Sequence, residues 1–118
     1  MSAELVQLHS FYRDPGLVLL ASSDGQALGC VALRVVAPAV GEVRRLFVSP
    51  TRRSAGLGRR LMDDLVARAK ARGFERLVLN TLPTMRHASR LYDEFGFEAI
   101  EPYVAEPTDG VLFYGRAV

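Results

Sequence analysis

Apolar residues along this chain recur in two rhythms. In "LVLLAS" (17–22), "ALGCVALRVV" (27–36) and "GEVRRLFV" (41–48) they crowd into strand-length stretches bounded by turn residues, and three strands are predicted. "SDGQ" joins the first two, with Asp24-Gly25 supplying the positive φ of a tight hairpin. Pro38 interrupts before the third strand and Pro50 ends it. The rhythm then changes. Leu57, Leu61, Leu65 and Ala69 recur every four residues, with Met62 and Val66 beside them and Asp63, Asp64, Arg68 and Arg72 on the other side. This predicts an amphipathic helix over 56–72, with Gly73 closing its C-terminal end.

"RLVLNT" (76–81) predicts a strand, and a second helix follows over 84–94, with Thr84 as its N-cap and Gly96 past its end. "FEAI" (97–100) and "VLFYGRA" (111–117) predict the last strands, joined by a loop with Pro102, Pro107 and Gly110. At the start of the chain, Leu5, Leu8 and Phe11 predict a short helix over 3–12, ended by Pro15-Gly16. The order is an antiparallel meander, then strand–helix–strand–helix–strand, then a final strand. A strand–helix–strand unit implies a parallel pair joined by a right-handed crossover. The expected architecture is therefore α/β, a mixed sheet with helices packed on it, in one domain over 1–118.

Composition narrows the class. The 118 residues are 49% hydrophobic and 24% charged, a soluble globular balance with no apolar run long enough to span a membrane. "MSAELVQLHS" has no basic segment followed by an apolar one, and the single cysteine, Cys30, sits in an apolar run and has no disulfide partner. A cytoplasmic setting is expected. The formal net charge of +2 does not point to nucleic acid, and neither a stacking platform nor a helix-turn-helix signal is visible. The distribution is more telling: Arg44, Arg45, Arg52, Arg53, Arg59 and Arg60 lie close together, which suits a compact polyanion or an ordinary solvated face. No His, Cys, Asp and Glu grouping has metal-ligand spacing, so no metal is expected. His9 and His87 are weak catalytic candidates, and Cys30 has no evident base beside it.

The stretch "RRSAGLGRRL" (52–61) carries the chemistry. A helix start has four N–H groups without internal partners and a partial positive charge, and an anion satisfies both. Gly56 and Gly58 remove side chains that would hold a phosphate away from the backbone, and Arg53 and Arg59 add attraction. A G-x-G before a helix is also an ordinary flexible turn. The stretch is neither a P-loop nor the dinucleotide fingerprint, which would need glycine where Leu61 stands.

Context favours the first of these. Arg53-Ser54-Ala55-Gly56-Leu57-Gly58 directly follows a predicted strand and resembles the acetyl-CoA loop, [QR]-x-x-G-x-[GA], of the GNAT superfamily of N-acetyltransferases. "ASRLYDEFGF" resembles a second block of that family, A-x-x-L-Y-x-x-x-G-F, at Ala88, Leu91, Tyr92, Gly96 and Phe97. "EVRRLFVSP", "LNTLPTM" and "PYVAEPTDGVLF" are similar to a subgroup of small members, so the resemblance covers 17–118.

The resemblance implies a GNAT fold and direct acetyl transfer from acetyl-CoA, as donor, to a primary amine of a small or amino-acid-like molecule. The backbone of Leu46, Phe47 and Val48 would hold the pantetheine arm, and the amides from Arg53 through Ser54, Ala55, Gly56, Leu57 and Gly58 to Arg59 the diphosphate. Tyr92 stands at the family's usual proton-donor position, and Glu42, on the strand beside the cofactor, is the candidate base. Strand alternation predicts Glu42 on one face with Arg44, Leu46 and Val48; it could equally be a surface carboxylate paired with Arg34 or Arg44. Asn80 and Thr81 could face the cleft or cap a turn. The arginines would suit a carboxylate-bearing acceptor unless the donor's phosphates occupy them.

Two departures stand out. Many members carry Asn where this chain has Met85, three residues before the Ala88 of the second motif. Family members also commonly begin with a strand and two helices, most of which are expected to be missing here. An open sheet edge would then be left at the strand beginning at 17, and a homodimer is expected to shield it. The alternative function is a GNAT-like module that binds CoA or a partner without turnover. Neither nucleic acid nor a membrane is an expected partner.

Overall fold

The protein's structure, a computed structural model, describes residues 7–13, 16–23, 25–50, 56–82 and 86–118, and the side chains of all of these except 7–13, 45 and 86–89. The elements in chain order are β1 (Gln7–Arg13), β2 (Gly16–Ser23), β3 (Gln26–Ala37), β4 (Val40–Val48), α1 (Leu57–Ala71), β5 (Arg76–Thr81), α2 (Arg86–Glu94), β6 (Glu98–Ala99) and β7 (Leu112–Ala117). Among the described residues, the strands form one mixed sheet in the order β1-β2-β3-β4-β5-β7-β6.

The expected helix over 3–12 is corrected: Gln7–Arg13 is a strand, paired antiparallel with β2 from Gln7↔Ser22 to Arg13↔Gly16. Apolar residues three apart suit a helix, but an isolated helix of that length is marginal in water. The backbone edge of β2 offers a complete ladder instead, and tertiary pairing overrides the local pattern. The edge expected to lie open at residue 17 is therefore filled by β1, and the homodimer expected on that account loses its stated reason.

The meander follows the predicted pattern. Gly25 takes φ 76 in the β2–β3 turn, while Asp24 lies outside the described residues. Pro38-Ala39 close the β3–β4 hairpin with Ala39 at φ 60, and the Ala39 carbonyl accepts the N–H groups of Glu75 at 2.8 Å and Arg76 at 3.2 Å. That turn thus anchors the start of β5 beside the start of β4. As the strand–helix–strand order implies, β4 and β5 are parallel. They pair only from Val40↔Arg76 to Glu42↔Val78, although β4 runs on to Val48 and β5 to Thr81. Each strand keeps its other neighbour: Ser49 donates to the Leu28 carbonyl at 2.7 Å at the far end of β4, and β5 pairs with β7 as far as Thr81↔Leu112. The sheet therefore splits between its two central strands.

Helix α1 packs on one face of the sheet. Leu57, Leu61, Met62, Leu65 and Ala69 are buried against Leu17, Leu19, Val31, Leu33, Val43, Leu77 and Leu79. Each buried leucine contributes about 1.5–3 kcal/mol relative to exposure. Both helices end in the same way. After α1, Phe74 donates to the Ala69 carbonyl at 3.0 Å and Gly73 to that of Lys70 at 3.1 Å; after α2, Phe97 donates to Tyr92 at 3.1 Å and Gly96 to Asp93 at 3.1 Å. This paired closure requires a left-handed residue, which Gly73 (φ 87) and Gly96 (φ 81) supply.

A side chain at Gly73 would meet nothing within 4 Å, so the cost of Gly73→Ala is conformational alone. The variant should lose about 1 kcal/mol, read as a fall of about 4 °C in the calorimetric midpoint. An unchanged midpoint would contradict this helix ending.

Candidate active site

Glu42 is the last β4 residue to pair with β5, and it is only 4% exposed. A buried carboxylate must be paired, and three donors converge on this one. Oε1 accepts from Arg34 Nη2 at 3.1 Å and lies 3.4 Å from Arg44 Nε. Oε2 accepts from the Tyr103 hydroxyl at 2.7 Å, and that hydroxyl accepts from Asn80 Nδ2 at 3.2 Å. The strand register explains the convergence: Arg34 stands directly opposite Glu42 on β3, and Arg44 is two residues along β4 on the same face. Tyr103 reaches in from the connection between β6 and β7, its ring held edge-on to Phe113 at 5.2 Å. A carboxylate has about four acceptor directions, so roughly one is left for a further donor. Beside the group opens a cleft of about 360 Å³ lined by Arg34, Val35, Val36, Glu42, Tyr103 and Val104.

Glu42 is thus paired with both arginines named for it, but it is buried rather than a surface carboxylate. The face assignment needs correction. Cys30 pairs with Phe47 and Ala32 with Arg44, so Val31 alone spans Arg45 and Leu46. This β-bulge shifts the alternation. Glu42 and Arg44 stay together, whereas Val48 turns to the helix-covered face, where its Cγ2 lies 3.5 Å from the Cβ position of Gly58. Leu46 is half-buried and Phe47 is exposed.

Helix α1 begins at this same end of β4. Arg53, Ser54 and Ala55 lie outside the described residues, as do Thr84 and Met85 and the side chains of His9 and His87. Gly56 is the N-cap, left-handed at φ 77 and ψ 12, and the first turn of α1 holds no acidic residue. The positive pole of the helix is therefore not neutralised from within its own first turn. Gly58 is buried; a Cβ there would sit 3.2 Å from Leu91 Cδ2, so its missing side chain lets the start of α1 lie close against β4 and α2. Leu57 belongs to the core. The Arg59 guanidinium pairs with Glu94 and lies 5.9 Å from the Phe95 ring centre.

Tyr92 is 6% exposed in the core on the α1 side of the sheet, edge-on to Phe97 at 5.8 Å. Tyr92 and Glu42 therefore lie on opposite sides of the split sheet. Burial pushes the Tyr92 phenol up to about 12. Burial, followed by the hydrogen bond to Glu42, raises Tyr103 well above the ordinary tyrosine range. Sequence reading did not single out Tyr103. Its hydroxyl partners lie 61 and 23 residues away, and the only signal was its place in the "PYVAEP" stretch of the family resemblance. Among the described residues, no group of His, Cys, Asp and Glu could hold a metal ion, and no helix is long and apolar enough to cross a membrane.

A mixed sheet split between two parallel central strands, with a bulge in the first and a helix start at its end, is the framework of an acyl-CoA N-acyltransferase. The chain belongs to the GNAT family of acetyltransferases, whose family model it matches over residues 2–97. It is 38% identical over 100 residues to an uncharacterized N-acetyltransferase of Schizosaccharomyces pombe, covering 83% of this chain and 61% of the relative. The chain spans about six tenths of the length of that relative and of an uncharacterized N-acetyltransferase of Bacillus subtilis, to which it is 30% identical over 94 residues. Its fold superposes on a Klebsiella pneumoniae structure assigned as an acyl-CoA N-acyltransferase, with TM-score 0.83 and 26% identity, covering 91% of this chain and 75% of that one. It also matches a GNAT acetyltransferase of Elizabethkingia anophelis with acetyl-CoA bound, with TM-score 0.79 and 17% identity, covering 96% of this chain and 98% of that one.

The raised tyrosines predict an alkaline weakness. In the unfolded chain a tyrosine ionises near 10, whereas folded Tyr92 holds its proton to about 12. Its contribution is complete below pH 10 and is lost as pH rises toward 12, at about 1.4 kcal/mol per pH unit. Denaturant titrations across this window should give a shallower loss for Tyr92→Phe than for the native chain. Parallel curves would contradict the assignment.

Proposed function

We propose that the protein moves an acetyl group directly from acetyl-CoA to the amine of a small-molecule acceptor. The observation that carries this reading is the split between β4 and β5, with the start of α1 at its end. Beyond Glu42, β4 no longer pairs with β5, and an extended arm with amide groups fits that gap as an added strand. The backbone from Leu46 to Val48, next to the bulge, runs along it. The first turn of α1, with no acidic residue of its own, suits a diphosphate, with Gly56 leaving the backbone open to close approach and the amides from Arg53 to Arg59 as the expected donors.

When bound, the donor supplies an activated thioester carbonyl carbon for the amine nitrogen to attack. An ammonium cannot attack, so one proton must first leave it. Glu42 receives that proton in its open acceptor direction or through a water, while Tyr103, held neutral, fixes the carboxylate in place. An N–H in the bulged region of β4 stabilises charge on the carbonyl oxygen. Breaking of the carbon–sulfur bond would release a thiolate, and the second proton lost by the new amide nitrogen would pass to that sulfur through solvent, leaving the amide and the free thiol. Tyr92 lies on the other side of the sheet from Glu42, and a neutral phenol there suits the departing sulfur. Burial keeps the phenol protonated, so it can serve as a hydrogen-bond donor to the sulfur as negative charge grows there.

Thiol release from acetyl-CoA in the presence of an amine panel tests this reading. Glu42→Gln should lower kcat about 100-fold and Tyr92→Phe by a similar factor, with KM for acetyl-CoA changed by no more than about threefold. Tight acetyl-CoA binding without thiol release from any amine would favour a non-catalytic module.

A further inference from the structure

We infer that the cleft beside Glu42 selects an acceptor bearing its own carboxylate, an apolar amino acid, with Arg34 as the carboxylate anchor. The inference rests on the acetyl-transfer reading and gives its acceptor a chemical class.

Charge comes first. Glu42 carries one negative charge, and Arg34 and Arg44 bring two positive ones to the same oxygen, at 3.1 and 3.4 Å. The local balance is one net positive charge. A simple amine enters as a cation and adds to that excess, and a diamine adds to it twice. An amino acid enters with its charges balanced, and its carboxylate meets the positive excess. The two arginines, at 54% and 42% side-chain exposure, meet solvent far more than Glu42 does, at 5%.

Geometry makes Arg34 the anchor. It lines the cleft, whereas Arg44 does not. A guanidinium has five N–H donors in a fixed fork, and a single one reaches Glu42. Forks of this kind receive carboxylates through two parallel hydrogen bonds. Arg34 and Glu42 are directly opposed across β3 and β4, so the place that would hold a carboxylate adjoins the place that would take a proton from an amine. In an α-amino acid these two groups are bonded to one carbon, and that compact spacing fits two adjacent side chains better than a long bifunctional chain does.

The remaining wall defines the rest of the acceptor. Val35, Val36 and Val104 are 38%, 38% and 43% exposed, a high value for three apolar side chains around one opening. They offer a surface for an aliphatic side chain. About 360 Å³ lies at the small end of ligand cavities, which suits a single amino acid.

Initial rates of thiol release test the inference. Leucine, isopentylamine (the same skeleton without the carboxylate) and putrescine are compared at one pH. The expected order is leucine first, with kcat/KM at least about tenfold above isopentylamine, and putrescine last. In Arg34→Met the ratio of leucine to isopentylamine should fall at least about tenfold below that of the native chain, whatever happens to the absolute rates, because the larger free-amine fraction of leucine is common to both proteins and cancels. The ratio separates anchoring from support of Glu42, since a disturbed Glu42 slows both amines alike. Equal rates in the native chain, or a ratio that survives in Arg34→Met, would overturn the proposal while leaving acetyl transfer standing. Silence from every amine would instead count against acetyl transfer. The anchor is then read by calorimetry with CoA present: leucine binding at least about tenfold tighter than isopentylamine, and losing that margin in Arg34→Met, supports it, and equal affinities overturn it.

Discussion

The short parallel seam between β4 and β5 governs the rest of this structure. It holds the two strands together from Val40↔Arg76 to Glu42↔Val78, helped by the Ala39 carbonyl that captures the start of β5. Had the seam continued, the sheet would be closed and α1 would merely be a crossover. Because it stops, backbone that other strands bury in a ladder is left along a gap, and unsatisfied backbone of this kind is costly unless something pairs with it. Each strand stays secured to its outer neighbour, so the opening is a built feature of the sheet.

The two sides of that opening differ in kind. On the helix side, Gly58 brings the start of α1 against Val48 and Leu91, and the packing that results is apolar. On the other side a buried carboxylate is held by two arginines and a phenol from a distant loop. A pair of charges in a half-buried place stabilises little by itself, because desolvation offsets attraction. Such a network is better read as a means of fixing geometry. It holds Glu42 in one orientation at the point where the strands part, and it leaves the cleft with positive excess.

Much of this was legible along the chain, and the failures have physical causes. The period-four run from Leu57 to Ala69 and the glycine after each helix identified both helices, because those signals are local. The strand at Gln7–Arg13 was missed because its partner, β2, decides its state, and spacing within the segment favours a helix. The bulge in β4 was invisible, since nothing in "EVRRLFV" marks where one extra residue enters, and it turned Val48 to the opposite face from Glu42. Glu42 could be named from its strand, but Tyr103 could not, because only the folded chain brings its hydroxyl to that carboxylate. Gly58 was noticed for a possible ligand, while the structure gives it a second task in packing. The charge of Arg59 was plain in the sequence; its engagement with Glu94 was not.

The central claim is that the parted edge of β4 and the start of α1 together receive the extended donor. Amide hydrogen exchange of the whole chain, with and without acetyl-CoA, tests it most directly. The account predicts that protection rises by more than about tenfold within Val43–Val48 and over the first turn of α1, with β2 and β7 unchanged. Binding that left those amides exchanging as before, or that protected only the β6–β7 connection, would contradict it.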